Sequence, residues 1–355
     1  MKLFKISSIL LAGALLGSLV SCNKGIGTDE VSEGRANVYF ELNRGISAES
    51  MTKAATEPGD DNLGNVQVLL FDHSSGILAY SAKETLNAIT GTVEVSDVPM
   101  NIAFDYRVVA NVSQDFASAS SVTDIDNYIV ALKDFAANSV PMFASGTKTF
   151  SSESSAGKSV SANLQRAASR IEVQKIQADF TGSNSWIAGQ AASVTGMYIY
   201  KAPGVFRLGL TDVPASSKVY WHNGSYKAAD VTALGAIAPY VGEAISTVNV
   251  ITNNGSYEAS HWFLCCPEGA YTASPAENGT FFTIEVTIGG VPYYYGVPLS
   301  AMGLKANYKY VISNIKLTKL GNINPPGIID EQQASFAINV EPWQTDPNFN
   351  GSIEF

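Results

Sequence analysis

Cys22 closes the run Leu19-Val20-Ser21-Cys22, behind a leader with Lys2 and Lys5 ahead of an apolar stretch over residues 6–16. A basic n-region, an apolar segment too short to span a bilayer and small residues at the cut are the features of a secretory signal peptide. A cysteine at that position changes the chemistry. Signal peptidase II requires it because the thiol is first joined to diacylglycerol through a thioether, after which the new amino terminus can be acylated. The sequence therefore predicts residues 1–21 as leader, a mature chain starting at Cys22, and two or three acyl chains as the membrane anchor. One acyl chain binds marginally and two bind stably, at about 0.8 kcal/mol per buried CH2. Asn23 carries no signal for inner-membrane retention, so an outer-membrane or surface lipoprotein is expected.

Other residues with chemical potential are few. Beyond Cys22 the cysteines are the adjacent pair Cys265 and Cys266, in a run that reads as a buried strand, so two core thiols are expected in place of a disulfide framework. His73, His222 and His261 are the three imidazoles, and none has metal-site spacing to another ligand. No nucleophile elbow, phosphate loop or dinucleotide fingerprint occurs, so neither an enzymatic activity nor a cofactor is expected. Paired carboxylates of the glycosidase kind meet in space and leave no mark in sequence. Tyr293-Tyr294-Tyr295 suits either strand packing or a sugar-stacking platform, and strand packing is preferred.

The elements that position these residues read as strands. The chain has 355 residues, 46% hydrophobic and 15% charged, with a net charge of -10, which gives no reason to bind nucleic acid. Length allows two domains. Ala36, Val38, Phe40 and Leu42 share one face of a first strand; Arg35, Asn37, Tyr39 and Glu41 share the other. A polar segment over residues 43–63 follows and is expected to be exposed to proteases. Strand patterns resume at residues 66–71, 91–95 and 106–111. Ile125, Tyr128, Ile129, Leu132 and Phe135 fall at helical spacing and predict one amphipathic helix over 123–136. Its Asp124 and Asp126 suit a helix start and lack the rest of a calcium loop. A Ser-rich loop is expected over 151–161, with a domain boundary near Gln165. Asn223-Gly224, Asn254-Gly255 and Asn278-Gly279 read as hairpin turns.

In this order the motifs resemble a family, the lipoprotein major fimbrial subunits or fimbrillins of type V pili. The resemblance runs from the lipobox through Val31-Ser32-Glu33-Gly34 and the first strand to Val66-Gln67-Val68-Leu69-Leu70-Phe71-Asp72. It continues with Val109-Ala110-Asn111, Val140-Pro141-Met142-Phe143 and Leu164-Gln165-Arg166-Ala167-Ala168-Ser169-Arg170-Ile171. Asn307-Tyr308-Lys309-Tyr310 and Phe336-Ala337-Ile338-Asn339-Val340-Glu341-Pro342-Trp343 close it. The resemblance implies a mostly β fold of two transthyretin-like β-sandwich domains, with one short amphipathic helix in the first. The divisions it gives are a lipidated propeptide with the first strand over 22–53, an N-terminal sandwich over 54–165 and a C-terminal sandwich with a donor tail over 166–355.

The resemblance also implies a mechanism. After export as an outer-membrane lipoprotein, a protease cuts behind the first strand, releasing strand and lipid, and a C-terminal strand of the next subunit fills the gap. Lys53-Ala54 stands where relatives carry arginine, and Arg44-Gly45 offers an earlier site; Lys53 is ranked before Arg44. Loss of Ala36, Val38, Phe40 and Leu42 would open a sheet edge and an apolar slot. Phe336, Ile338 and Val340 share one face of a candidate donor strand. If that strand belongs to its own domain, residues after Trp343 would donate instead. The implied partners are copies of the chain, accessory fimbrial subunits, a maturation protease and a host or bacterial surface receptor. The alternatives are a fimbrial anchor or tip subunit, a surface glycan-binding lipoprotein using Trp221 or the Tyr293 cluster, and a β-sandwich hydrolase. Replacing Cys22 by serine is expected to abolish incorporation of labelled fatty acid in cells of the native host. Label retained by that variant would place the lipid elsewhere.

Overall fold

Alternation of apolar and polar residues becomes strand structure along most of the chain. The computed structural model describes residues 34–43, 62–131, 139–181, 185–203, 205–209, 220–223, 237–238, 249–251, 255–265, 267, 281–299, 304–324, 334–342 and 352–354. Cys22, Arg44, Gly45, Lys53, Ala54, Cys266 and most residues of the three expected Asn-Gly turns lie outside them. No helix among the described residues is long and apolar enough to cross a membrane.

The first layer is a three-stranded sheet in the order β4 (Thr90–Pro99), β1 (Arg35–Asn43), β8 (Ser159–Asn163). The second is a five-stranded sheet of β3 (Leu78–Ala88), β2 (Leu63–Asp72), β5 (Ala103–Ala110), β7 (Met142–Thr149) and β9 (Gln165–Arg166). Between them lies a core of Val38, Phe40, Leu42, Val66, Val68, Leu70, Val93, Val95, Val108 and Phe150, with neighbours. The second sheet is covered on both faces along most of β2 and at the adjoining ends of β5 and β7. Leu69, Phe71, Val109 and Phe143 point the other way, into a second core continuous with residues beyond 167. That double burial explains why residues 68–71 form an unbroken apolar run where a one-sided strand would alternate, while the buried Gln67 amide is satisfied by the Gln114 carbonyl and the N–H of Phe116.

The remaining strands form two larger sheets and a short ribbon. One sheet runs β16 (Ser256–Cys265), β10 (Ser169–Ala178), β19 (Tyr308–Leu317), β20 (Ala334–Pro342), β21 (Ser352–Glu354). The other runs β14 (Ile237–Ala238), β13 (Tyr220–Asn223), β11 (Ala192–Pro203), β17 (Phe281–Ile288), β18 (Val291–Pro298), with β15 (Asn249–Ile251) also on β11. Their facing side chains, among them Ile171, Val173, Ile312, Ile315, Val194, Ile284 and Val286, fill the second core. The ribbon pairs β6 (Ile129–Ala131) with β12 (Val205–Arg207). The chain is thus mostly β, with sheets packed as sandwiches.

Two local expectations need correction. Of the helix expected over 123–136, the described residues form α1 (Val122–Asp126) and then a strand, while residues 132–136, with Leu132 and Phe135, lie outside them. Asp124 accepts from the backbone N–H of Ser120 and Ser121 at its start, and Arg107 grips Asp126 through two hydrogen bonds of 2.7 and 2.8 Å. Ile125 is buried, but Ile129 leaves the helix because β12 offers it a strand partner. A single strand pairing outweighs helical spacing that could not nucleate a long helix by itself. The loop expected over 151–161 ends early, since residues from Ser159 join β8, where Val160 and Ala162 are buried between exposed Ser161 and Asn163. A further short helix, α2 (Ser185–Ala188), precedes β11.

Two asparagines in left-handed conformation tie segments together. Asn111 (φ 61) accepts from the N–H of Gly64 and donates to the carbonyls of Asn62 and Val140. Asn307 (φ 64) accepts from the N–H of Arg166 at 3.2 Å, and its own N–H donates to the carbonyl of Ala168. The residues at the junction near Gln165 and those opening β19 are therefore one structural unit. Asn111→Ala should destabilise the chain by about 1–3 kcal/mol in urea unfolding, because it removes three partly exposed hydrogen bonds and strains a left-handed position. Asn111→Gly should lose less, and equal losses would show that the backbone conformation contributes nothing.

Candidate functional site

The first strand is the middle strand of its sheet. β1 runs antiparallel to β4 and parallel to β8, so main-chain hydrogen bonding is satisfied on both edges over residues 39–43. Val38, Phe40 and Leu42 are at most 1% exposed, while Arg35, Asn37, Tyr39 and Glu41 face outward. This is the two-faced strand that the alternation predicts, with Ala36 half-buried at its start. Phe40 sits edge-on to Tyr106 and Phe150, with ring centroids 5.5 and 6.3 Å away. Three such side chains at about 1.5–3 kcal/mol each represent a gross burial near 5–9 kcal/mol.

Polar contacts hold the outer face. Arg35 Nη1 donates to the Asp97 carboxylate at 2.7 Å and to its carbonyl at 2.8 Å. The Arg35 guanidinium pKa is raised, first by its hydrogen bond to Asp97 and then by that residue's charge. Asn37 Nδ2 donates to the Glu94 carboxylate, and Asn37 Oδ1 accepts from the N–H of Asp97 at 3.3 Å. The ends are fastened by backbone bonds from Met100 N–H to the Gly34 carbonyl and from Leu164 N–H to the Asn43 carbonyl. Asp97, Glu94 and β8 carry no motif in the sequence. Their role is visible only once β4 and β8 flank β1.

Beyond Asn43 begins the polar segment with Arg44, Gly45, Lys53 and Ala54. On its far side, Asn62 and Gly64 are anchored by Asn111. The chain is thus pinned independently on either side of the segment expected to be cut.

The other candidate residues separate in space. Phe336, Ile338 and Val340 lie on β20, which pairs with β19 along its whole length and with β21 on its other edge. The strand belongs to its own sheet here, which is the arrangement under which residues after Trp343 become the donor candidates. Tyr293, Tyr294 and Tyr295 are buried, and Tyr295 donates its hydroxyl to the Lys319 carbonyl at 2.8 Å, with burial pushing its pKa up. Buried in this way they pack within the strands, the reading preferred from the sequence, and do not present a sugar platform. Cys265 is buried, as its strand context suggests, and its Sγ donates to the Ser169 carbonyl at 3.8 Å. His73 Nδ1 lies 3.0 Å from Asp105 Oδ1 on the surface, and no cluster of three metal-ligating side chains occurs among the described residues. A cavity of about 340 Å³ beside β6 is lined by Asn65, Asn111, Tyr128 and Val130 among others. It brings together no titratable group from the expected sites.

Phe40→Ala in the uncut chain should cost about 3–5 kcal/mol of stability by urea unfolding, whereas Tyr39→Ala should stay within about 1 kcal/mol. Similar losses at both positions would contradict the assignment of the two faces.

No family model matches the chain, and no curated protein matches its sequence. Similarity to solved structures is clear. A protein named for cell adhesion from Parabacteroides distasonis aligns with a TM-score of 0.59 at 15% identity, covering 88% of this chain and 98% of that one. Another from Bacteroides eggerthii gives 0.59 at 14%, covering 89% and 98%. A fimbrilin from Porphyromonas gingivalis gives 0.56 at 15%, covering 87% and 98%. The chain has the fold of these adhesion and fimbrilin structures over most of its length.

Proposed function

We infer that this chain is a structural subunit of surface fimbriae that mediate cell adhesion. In this reading it is exported as a lipoprotein through Cys22, cut in the segment after β1 at Lys53-Ala54 or Arg44-Gly45, and polymerised by exchange of the lost strand for one from a neighbouring copy. The observation that carries the reading is the position of β1. It is a central strand whose Val38, Phe40 and Leu42 complete a core, and it leads directly into the polar segment. A strand so placed makes the unit stable while present and adhesive once gone, because its removal exposes two strand edges and an apolar slot together.

The likeness in fold to a fimbrilin and to proteins named for adhesion supports the same assignment. The mature unit would comprise an N-terminal sandwich over 54–165 and a C-terminal sandwich over 166–355. Its partners would be other copies and accessory fimbrial subunits, a maturation protease and a surface receptor. The work it does is mechanical, and no catalytic group or cofactor enters. An anchor subunit would differ in keeping β1 and its lipid.

The test uses protein purified from the surface of its native cell, by mass spectrometry of the amino terminus and a denaturing gel of unheated and boiled samples. A start at Ala54 or Gly45 with a heat-labile ladder is the expected result. A lipidated Cys22 start with a single monomer band would overturn the stalk assignment in favour of an anchor.

A further inference from the structure

The face of β2 turned away from β1 carries Asn65 and Gln67 beside Leu69 and Phe71, and at its start a cavity of about 340 Å³ lies between residues 112–113 and β6. That volume is at the low end for ligand cavities, about 300–1,000 Å³, and suits one small molecule. The wall is fixed by the protein's own contacts. Asn65 Nδ2 donates to the Val112 carbonyl at 3.2 Å, Gln67 Nε2 donates to the Gln114 carbonyl at 2.7 Å, and Gln67 Oε1 accepts from the N–H of Phe116 at 2.9 Å. Ser113 is therefore held between two amide clamps. The Tyr128 ring sits edge-on to Phe116, with centroids 5.1 Å apart, and the Tyr128 carbonyl accepts from the N–H of Leu208 at 2.8 Å. Val130 is held by the pairing of β6 with β12.

This frame leaves hydroxyl chemistry over. Ser113, Tyr128 and Ser139 line the cavity, and none of the three hydroxyls has a hydrogen-bond partner among the described residues. Asn65 Oδ1 is buried in the same wall and accepts no hydrogen bond. Polar groups in a sheltered wall are ordinarily paired, so four on one wall favour a ligand able to pair with them. Ser113 and Ile129 are exposed, so the cavity is open to solvent. None of the described residues lining it is Asp, Glu, Lys, Arg or His. An anionic ligand would meet no counter-charge there, on a chain of net charge -10, and a purely apolar one would leave the hydroxyls unpaired. Val112, Val130 and Pro141 supply apolar surface beside the hydroxyls. A pyranose carries hydroxyls around its edge and an apolar C–H face, which matches both halves of this lining.

We propose that this cavity binds a single uncharged pyranose unit, with Ser113, Tyr128 and Ser139 hydrogen-bonding its hydroxyls and Val112 and Val130 against its C–H face. The clamps on Ser113 and the packing of Tyr128 hold these groups in place beforehand, so little ordering is required when the sugar enters. The site lies on the face of the second sheet away from β1, so it is the same before and after any cut behind that strand. The proposal therefore goes beyond the strand-removal reading. It gives adhesion a receptor chemistry, a neutral glycan with an accessible terminal sugar.

The test titrates protein purified from the surface of its native cell with the methyl α-glycosides of glucose, mannose and galactose, and with N-acetylneuraminic acid as the charged control. Saturation-transfer NMR and calorimetry are the readouts. At least one neutral glycoside should bind at millimolar concentration, and the charged sugar should not. Tyr128→Phe and Ser113→Ala each remove a hydroxyl and keep the packing, so each should weaken that binding by about 3–10-fold. The midpoint of urea unfolding should stay with that of the unsubstituted protein. Failure of all three neutral glycosides to bind, preference for the charged sugar, or undiminished binding by the double variant Tyr128→Phe with Ser113→Ala would each overturn the proposal. Any of these results beside an Ala54 or Gly45 start and a heat-labile ladder would leave the fimbrial reading standing.

Discussion

The position of β1 between β4 and β8 is the constraint on which the N-terminal part of the structure depends. An edge strand can leave a sheet with one row of hydrogen bonds unsatisfied and a core nearly intact. A central strand cannot, because two rows of backbone groups and the inward side chains lose their partners together. Phe40 makes this acute, since its ring closes a cluster with Tyr106 and Phe150 at the middle of the sandwich. The same placement therefore determines how much of the sandwich depends on this one strand.

The second layer gives that slot a rigid floor. β2 is buried on both faces, as are β5 over residues 108–110 and β7 over residues 142–144, so each contributes side chains to two cores. A sheet clamped in this way has little freedom to close over a lost neighbour, because collapse toward the gap would unpack the other side. Asn111 and Asn307 add local fastening where loops cross from one layer to the next. Both adopt a left-handed backbone that asparagine tolerates better than other side chains, and both use the amide to satisfy neighbouring backbone groups.

Two ion pairs tie α1 and β1 to neighbouring strands. Arg107 holds Asp126 at the foot of α1, and Arg35 holds Asp97 at the mouth of β1. The second pair is exposed on both sides, so its contribution to stability is small. Its value lies in geometry, because it marks one end of a strand whose other outward contacts, through Asn37, depend on the bulge at Asp97.

Much of this was legible in the residues. Alternation over Ala36, Val38, Phe40 and Leu42 defined a two-faced strand, the pattern over residues 66–71 marked another strand, and the run holding Cys265 read as a buried strand. These are local consequences of side-chain period, and they need no knowledge of the partner. The neighbours of β1, the central place it takes, the strand at Ser159–Asn163, the early end of α1 and the burial of Tyr293, Tyr294 and Tyr295 were decided by tertiary structure. Each depends on pairing between segments far apart in the chain. A residue's own period says which face turns inward, but only the packed sheets decide what that face meets.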